Sequence, residues 1–196
     1  MPSFSLNSLH TTAALLLSLM ILSSCSLFQP KPPQPLGDWA FNGKMAIRNS
    51  AGEASSFTVE WLQQGDFFKI ELSGPLGAGA MTITGNPYQV TLQQKDNLIH
   101  ANSLADLALQ QTDMALPLDH LQFWVRALPD PIDPYEIELN SEGQAQLIAQ
   151  AGWTVQILDC FVDAAHAEPL PRKLSFSNLG DSGKLIIREW TQTPQL

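Results

Sequence analysis

The chain has 196 residues, and 19 acidic against 10 basic side chains give it a formal net charge of −9. That balance opposes nucleic acid and offers no polybasic attraction to anionic lipid. With 44% apolar residues the chain is long enough to bury a sizeable core as one domain.

The first predicted element is a signal. Ala13 to Leu22 form an apolar run of signal-peptide length, well short of the ~20 residues that span a bilayer. It ends in Leu22-Ser23-Ser24-Cys25, the pattern of a bacterial lipobox. There, small residues precede a cysteine that is diacylated on sulfur, becomes the new N-terminus and is acylated again. Residues 1–24 are therefore expected to be removed, although the n-region carries no Lys or Arg. Ser26 follows in place of the Asp that retains lipoproteins in the inner membrane, so the anchor is expected in the outer membrane, facing the periplasm. Each buried methylene contributes about 0.8 kcal/mol, so two or more acyl chains anchor stably. With Cys25 acylated, Cys160 has no partner and is expected as a buried free thiol in a strand. Residues 25–37 hold Pro30, Pro32, Pro33 and Pro35 in a polar setting and read as an extended tether. Residues 38–196 then form the folded domain.

From Trp39 onward the pattern is alternation with a period of two. Phe57, Val59 and Trp61 share one face of a strand, with Thr58 and Glu60 on the other. Phe68, Ile70 and Leu72 repeat this against Lys69 and Glu71. Further strands are predicted over Phe41–Arg48, Ala80–Thr84, Tyr88–Gln93 and Asn97–Ala101. After a gap follow Tyr135–Leu139, Gln144–Gln150, Trp153–Leu158, Lys173–Ser177 and Lys184–Trp190. Short turn-rich connections such as Gln64-Gly65-Asp66 and Asp181-Ser182-Gly183 join them. About eleven antiparallel strands at hairpin spacing predict a mainly β domain: one curved sheet forming an open, incomplete barrel.

The gap holds two short helices. Ser103 caps the first, with Asp106 completing an S-x-x-D box, and Leu104, Leu107 and Ala108 share its face. Pro117 restarts the chain; Leu118, Leu121, Trp124, Val125 and Leu128 then recur at helical spacing, up to Pro129, Pro131 and Pro134. Two helices inserted at one place in an all-strand chain predict a lid or plug over the apolar face of the sheet. Phe57, Val59, Trp61, Phe68, Ile70, Leu72, Leu121 and Trp124 are the candidate lining of a cavity beneath it.

Catalytic chemistry has almost no support. There is no H-E-x-x-H, no G-x-S-x-G and no phosphate-cradling loop, so no cofactor is expected. His100, His120 and His166 lack metal-ligand spacing and are expected as structural or surface residues. Glu60 and Glu71 are expected as solvated strand carboxylates rather than an acid/base pair. One loop, however, breaks the rule that turns are polar. Gly74-Pro75-Leu76-Gly77-Ala78-Gly79 has no charged residue. Pro75 suits the second position of a turn and Gly77 the fourth, which leaves Leu76 at the tip. On a tethered protein, Pro75, Leu76 and Gly77 read as an element that dips into lipid or a lipidated partner.

Together these features resemble a known family. The lipobox, Gln63-Gln64-Gly65, Pro75-Leu76-Gly77, the Leu116-Pro117 to Trp124 helix, Ala127-Leu128-Pro129 and Gln150-Ala151-Gly152-Trp153 look like LolB, the outer-membrane lipoprotein receptor family, in matching order. Lys44 stands where the family often shows Arg, and the charge is kept. The resemblance implies an open barrel of eleven antiparallel strands with a helical lid over an apolar cavity. It also implies a monomer that accepts lipoproteins from the periplasmic carrier LolA by their acyl chains and inserts them into outer-membrane lipid. A general carrier of lipids or other hydrophobic ligands is the alternative, and a lipid-anchored scaffold or an enzyme with an unrecognised site comes third.

Overall fold

The computed structural model describes residues 37–112, 116–161 and 169–191. Cys25, the signal, nearly all of the tether and His166 lie outside them. The described chain forms β1 (Asp38–Arg48), β2 (Ala54–Gln64), β3 (Phe67–Ser73), β4 (Met81–Asn86), β5 (Gln89–Gln94) and β6 (Asn97–Ala101). Helices α1 (Leu104–Thr112) and α2 (Leu118–Trp124) follow. The chain then returns through β7 (Tyr135–Leu139), β8 (Ala145–Gln150), β9 (Trp153–Phe161), β10 (Leu170–Asn178) and β11 (Asp181–Thr191).

All eleven strands belong to one antiparallel sheet in the order β6-β5-β4-β3-β2-β1-β11-β10-β9-β8-β7. Sequence neighbours pair except β6 and β7, which are the two edges, and the first strand meets the last: β1 lies against β11 at the centre of the sheet. The ladder is not closed between β6 and β7, and the helical segment enters the chain between those two edge strands. The sheet is thus an open barrel with its helices inserted at the gap.

Alternation sets what faces inward. Along β1, Trp39, Phe41, Met45 and Ile47 are buried while their neighbours are not. Val59 and Trp61 of β2 and Phe68 and Ile70 of β3 continue the same inner face, with Phe57 and Leu72 half-buried on it. Two glycines allow the tight coiling this needs. A Cβ on Gly43 would stand 2.5 Å from the Ile186 carbonyl oxygen, where the β1–β11 register slips between Asn42 and Gly43. A Cβ on Gly183 would stand 2.1 Å from the Phe176 ring. A bulge with a missing side chain bends the sheet.

The two ends of the sheet differ. Near the end where the domain begins, Trp39, Phe41, Trp61 and Trp190 pack with ring centroids 5.3–6.1 Å apart and fill the interior. Opposite it lie the turns at 49–53, 74–80, 95–96, 151–152 and 179–180. Their placement follows from the register: Arg48 faces both Ala54 and Ser182, Ser73 faces Thr58, and Gln94 faces Asn97. One end is solid and the other is a rim.

Candidate functional site

The helices cover the inner face of the sheet, and each is held by polar contacts. Asp106 N–H donates to Ser103 Oγ at 3.0 Å, the cap expected of that box. A second cap comes from the other helix. Leu104 N–H donates to Asp119 Oδ1 at 3.0 Å and Ala105 N–H to Asp119 Oδ2 at 3.3 Å. A carboxylate at a helix N-terminus satisfies orphan donors and meets the positive end of the dipole. Asp119 thereby couples α1 to α2. Leu104, Leu107 and Ala108 are buried, as their spacing predicts.

Helix α2 ends earlier than its apolar spacing predicts. Leu128 N–H donates to Phe123 O at 3.2 Å and Ala127 N–H to Trp124 O at 2.9 Å, with Ala127 at φ 57°. This is a Schellman stop with alanine in the position usually held by glycine. The prolines come after the stop, and Leu128 falls outside the helical face and is exposed.

Beyond that stop the segment is clamped to β8 by a buried glutamine. Gln150 Oε1 accepts from Trp124 Nε1 and from Asp130 N–H, both at 2.9 Å. Gln150 Nε2 donates to Asp130 O at 2.7 Å and Asp133 O at 3.0 Å. His120 stacks on Trp124 and places Nδ1 3.0 Å from Asp130 Oδ2 and Nε2 3.5 Å from Asp133 Oδ2. These three side chains form a compact group, but the carboxylates sit at different ring nitrogens. A single ion cannot bind through both nitrogens of one imidazole, so the group reads as a hydrogen-bonded clasp.

Between helices and sheet lies a cavity of about 400 Å³, bounded by Met45, Ile47, Phe57, Leu72, Met81, Ile83, Leu92, Leu107 and Leu118 among others. Asn49, Glu53 and Gln94 stand at its mouth, so it opens at the rim. A second void of about 30 Å³ lies against it, lined by Phe41, Val59, Trp61, Ile70, Leu121 and Leu185 and sharing Met45, Leu72, Ile83 and Leu118. Of the residues singled out in the sequence, Phe57 and Leu72 reach the larger space, and Val59, Trp61, Ile70, Leu72 and Leu121 the smaller. Phe68 and Trp124 lie in the packed core and line neither space. Sequence reasoning missed Met45, Met81, Ile83 and Leu92. All four lie on strands with the same alternation, and a cavity wall drawn from β1 and β4–β5 as well would have contained them.

The glycine-flanked loop has the turn expected of it. Gly77 N–H donates to Gly74 O at 3.1 Å and Ala78 N–H to Pro75 O at 3.2 Å. Pro75 and Gly77 bracket Leu76, which is fully exposed and held at φ 58°, ψ 26°. That left-handed conformation costs a leucine roughly 1–2 kcal/mol. Full exposure means that no burial offsets the strain.

Glu60 and Glu71 are cross-strand neighbours on the outer face, with Lys69 3.0 Å from Glu71, and they border two open depressions of that face, of about 470 and 390 Å³. His100 Nδ1 lies 3.0 Å from Thr91 Oγ1 on neighbouring strands. Cys160 is a free thiol, half-buried rather than buried, near the end of β9. Burial and the neighbouring Asp159 carboxylate both push its pKa up.

The match to known families is made over this same domain. The family model described as outer membrane lipoprotein LolB matches residues 37–190. The chain belongs to the LolB family. It is 36% identical to the outer-membrane lipoprotein LolB of Cellvibrio japonicus, over 80% of this chain and 79% of that one. It is 33% identical to that of Chromohalobacter salexigens, over 80% and 72% respectively. The LolB of Alkalilimnicola ehrlichii matches at 30% over 91% of this chain and 95% of its own. In fold the chain is similar to a LolA superfamily protein from Nitrosomonas europaea, with a TM-score of 0.52 over 83% of this chain and 89% of that one, at 9% identity. The LolB family is one of outer-membrane lipoproteins and not of enzymes, which agrees with a site built from apolar side chains.

Proposed function

We propose that the protein receives lipoproteins from the periplasmic carrier LolA, holds their acyl chains in the cavity beneath α1 and α2, and inserts them into the outer membrane. The observation that carries this reading is the shared end. An apolar cavity opens at the rim that also presents Leu76, so holding and delivery lie side by side.

The energetics define what is required. Acyl chains cost about 0.8 kcal/mol per methylene exposed to water, so cargo must pass from one apolar space to another without release. Transfer then runs down a gradient of affinity: carrier, receptor, bilayer. A cavity near 400 Å³ lies at the lower end of the ~300–1,000 Å³ range of ligand sites. Cargo with three chains therefore requires the helices to move outward. The Gln150 clamp and the His120 clasp hold the α2 side, which leaves α1 as the moving part. Cys25 in this reading supplies the anchor at the destination, and residues 25–37 supply reach.

The test is transfer of a native lipoprotein from purified carrier to receptor and on to liposomes, beside transfer of free fatty acid. Lipoprotein transfer that clearly exceeds fatty-acid transfer supports the receptor. Equal handling of both would favour a general hydrophobic-ligand carrier.

A further inference from the structure

Leu76 is not alone on the rim. Leu179 occupies the tip of the β10–β11 hairpin, 97% exposed, with φ 46° followed by Gly180 at φ 100°. Two consecutive positive φ angles fit the two-residue turn that favours Asn-Gly or Asp-Gly, so leucine is the wrong residue for the backbone it occupies. Five non-glycine residues of the described chain have positive φ: Leu76, Lys95, Ala127, Ala151 and Leu179. The two large apolar ones are both at hairpin tips, both essentially fully exposed, and both at the sheet end where the cavity opens.

The hairpin is firmly seated. Ser50 N–H donates to Asp181 Oδ1 at 2.7 Å, tying the β10–β11 turn to the β1–β2 turn. A Cβ on Gly180 would lie 3.2 Å from Ser50 Cβ, so the two turns also touch. A side chain on such a support is presented, not loosely trailed. The two tip segments themselves are uncharged: 74–80 and 178–180 carry no ionisable side chain in a chain of net charge −9, and the charged groups of the rim (Glu53, Lys95, Asp96 and Asp181) lie beside the tips, not on them. From β3 to β11 there are three strand spacings, each ~4.8 Å, so the two leucines stand apart on the same rim.

We propose that Leu179 is a second membrane-contact point, which enters the bilayer interface together with Leu76 and sets the cavity mouth down on the lipid surface. The proposal rests on the reading of Leu76 as a lipid-entering tip. One point of contact lets a domain pivot. Two spaced points fix which end meets the membrane, and that end is the mouth. The occupant is lipid because the chain belongs to a family of outer-membrane lipoproteins and because both tips are uncharged, apolar and too small to form a protein-binding patch by themselves.

The test uses the mature chain with Cys25→Ala, so that binding comes from the domain, and flotation with vesicles of phosphatidylethanolamine and phosphatidylglycerol. Leu179→Asn is the central variant because asparagine accepts the left-handed backbone. A purely structural residue would then give an equal or higher Tm with unchanged flotation. We expect an equal or higher Tm and a five- to tenfold lower partition coefficient, since one leucine no longer enters the interface (partial burial at the interface, against roughly 10- to 100-fold for full burial). Leu179→Glu should lower it further, and adding Leu76→Glu should abolish flotation. If Leu179→Asn floats like the parent while Leu76→Glu does not, the second contact is wrong and the Leu76 reading stands. If Leu179→Asn lowers flotation and Leu76→Glu leaves it intact, the Leu76 reading fails instead. A parent that does not float, or loss confined to receipt from the carrier, overturns the proposal.

Discussion

Trp124 Nε1 donates to Gln150 Oε1 at 2.9 Å, and this bond ties α2 to β8. Gln150 is buried with every polar atom engaged: its oxygen accepts twice and its amide nitrogen donates twice. A buried network of this kind is stabilising only while complete. Gln150→Leu keeps the bulk but leaves the Trp124 and Asp130 donors and two carbonyls without their partner. Each unsatisfied buried group costs ~1–3 kcal/mol, so the variant should lose at least ~2 kcal/mol in urea unfolding. Unchanged stability would show that the clamp contributes nothing.

Asp119 works on the other side of the cover. Asp119→Ala removes the long-range cap from Leu104 and Ala105, which should cost about 1 kcal/mol. Because it also uncouples α1 from α2, an apolar fluorescent probe should enter the cavity faster than in the parent. Asp119→Asn keeps an acceptor and should fall between the two. Equal entry rates in stopped-flow measurements on all three proteins would mean that α1 is not the gate.

Leu72 tests the cavity better than the buried aromatics. It is half-buried and borders both spaces, whereas Trp61 is part of the aromatic packing that closes the far end. Leu72→Glu should retain the fold and weaken acyl-probe binding at least tenfold, because an ionised carboxylate in an apolar site is strongly unfavourable. Gln93→Glu, on the outer face, should bind as the parent does. Equal affinities in a fluorescence titration would mean that the acyl chain sits elsewhere.

The fold was legible because its signals are local and repeated. Alternation in β1 to β3, and turns of two to seven residues at eight of the ten strand connections, leave few arrangements other than an antiparallel meander. Leu76 was legible for a similar reason, since Pro75 and Gly77 bracket it in one short turn. What escaped was nonlocal or unsignalled. The Asp119 cap acts on a backbone fifteen residues earlier in the chain. The stop at Ala127 uses a residue that does not advertise the left-handed region. β10 begins at Leu170, before its expected start, because Pro171 sits at a register shift where its missing N–H is tolerated. Gln150 was readable in part: it shares the inner face of β8 with Ile148, and a polar residue at such a position demands partners. Which partners it finds depends on the chain beyond α2, outside any local window.

Cys160 carries a prediction about pH. Its pKa is raised above the ordinary 9.0 by burial and then by the Asp159 carboxylate, so the thiol should react slowly with Ellman's reagent at neutral pH. A group whose folded pKa lies above its unfolded value contributes stability at lower pH. That contribution is complete below the unfolded value, near 9, and is lost as the pH climbs through the folded one. Cys160→Ser should therefore flatten the alkaline fall in stability seen by chemical denaturation above about pH 9. A fall that is unchanged would assign the alkaline sensitivity to other groups.

The sharpest prediction separates holding cargo from delivering it. Leu76 makes no buried contact and is held in a backbone conformation that leucine disfavours. Leu76→Glu should therefore change stability by less than ~0.5 kcal/mol, and Leu76→Asn should raise it by up to ~1 kcal/mol. Neither touches the cavity, so receipt of lipoprotein from the carrier should survive in both. Delivery should not. If the tip enters hydrocarbon, a carboxylate there costs several kcal/mol, and Leu76→Glu should accumulate as cargo-loaded receptor. Leu76→Asn, uncharged but polar, should deliver slowly, and Leu76→Ile should deliver nearly as the parent does. Melting temperature, carrier-to-receptor transfer and receptor-to-liposome transfer are to be measured on the same preparations. Normal delivery by Leu76→Glu would make the apolar loop incidental, and a large drop in its melting temperature would place Leu76 in the core after all.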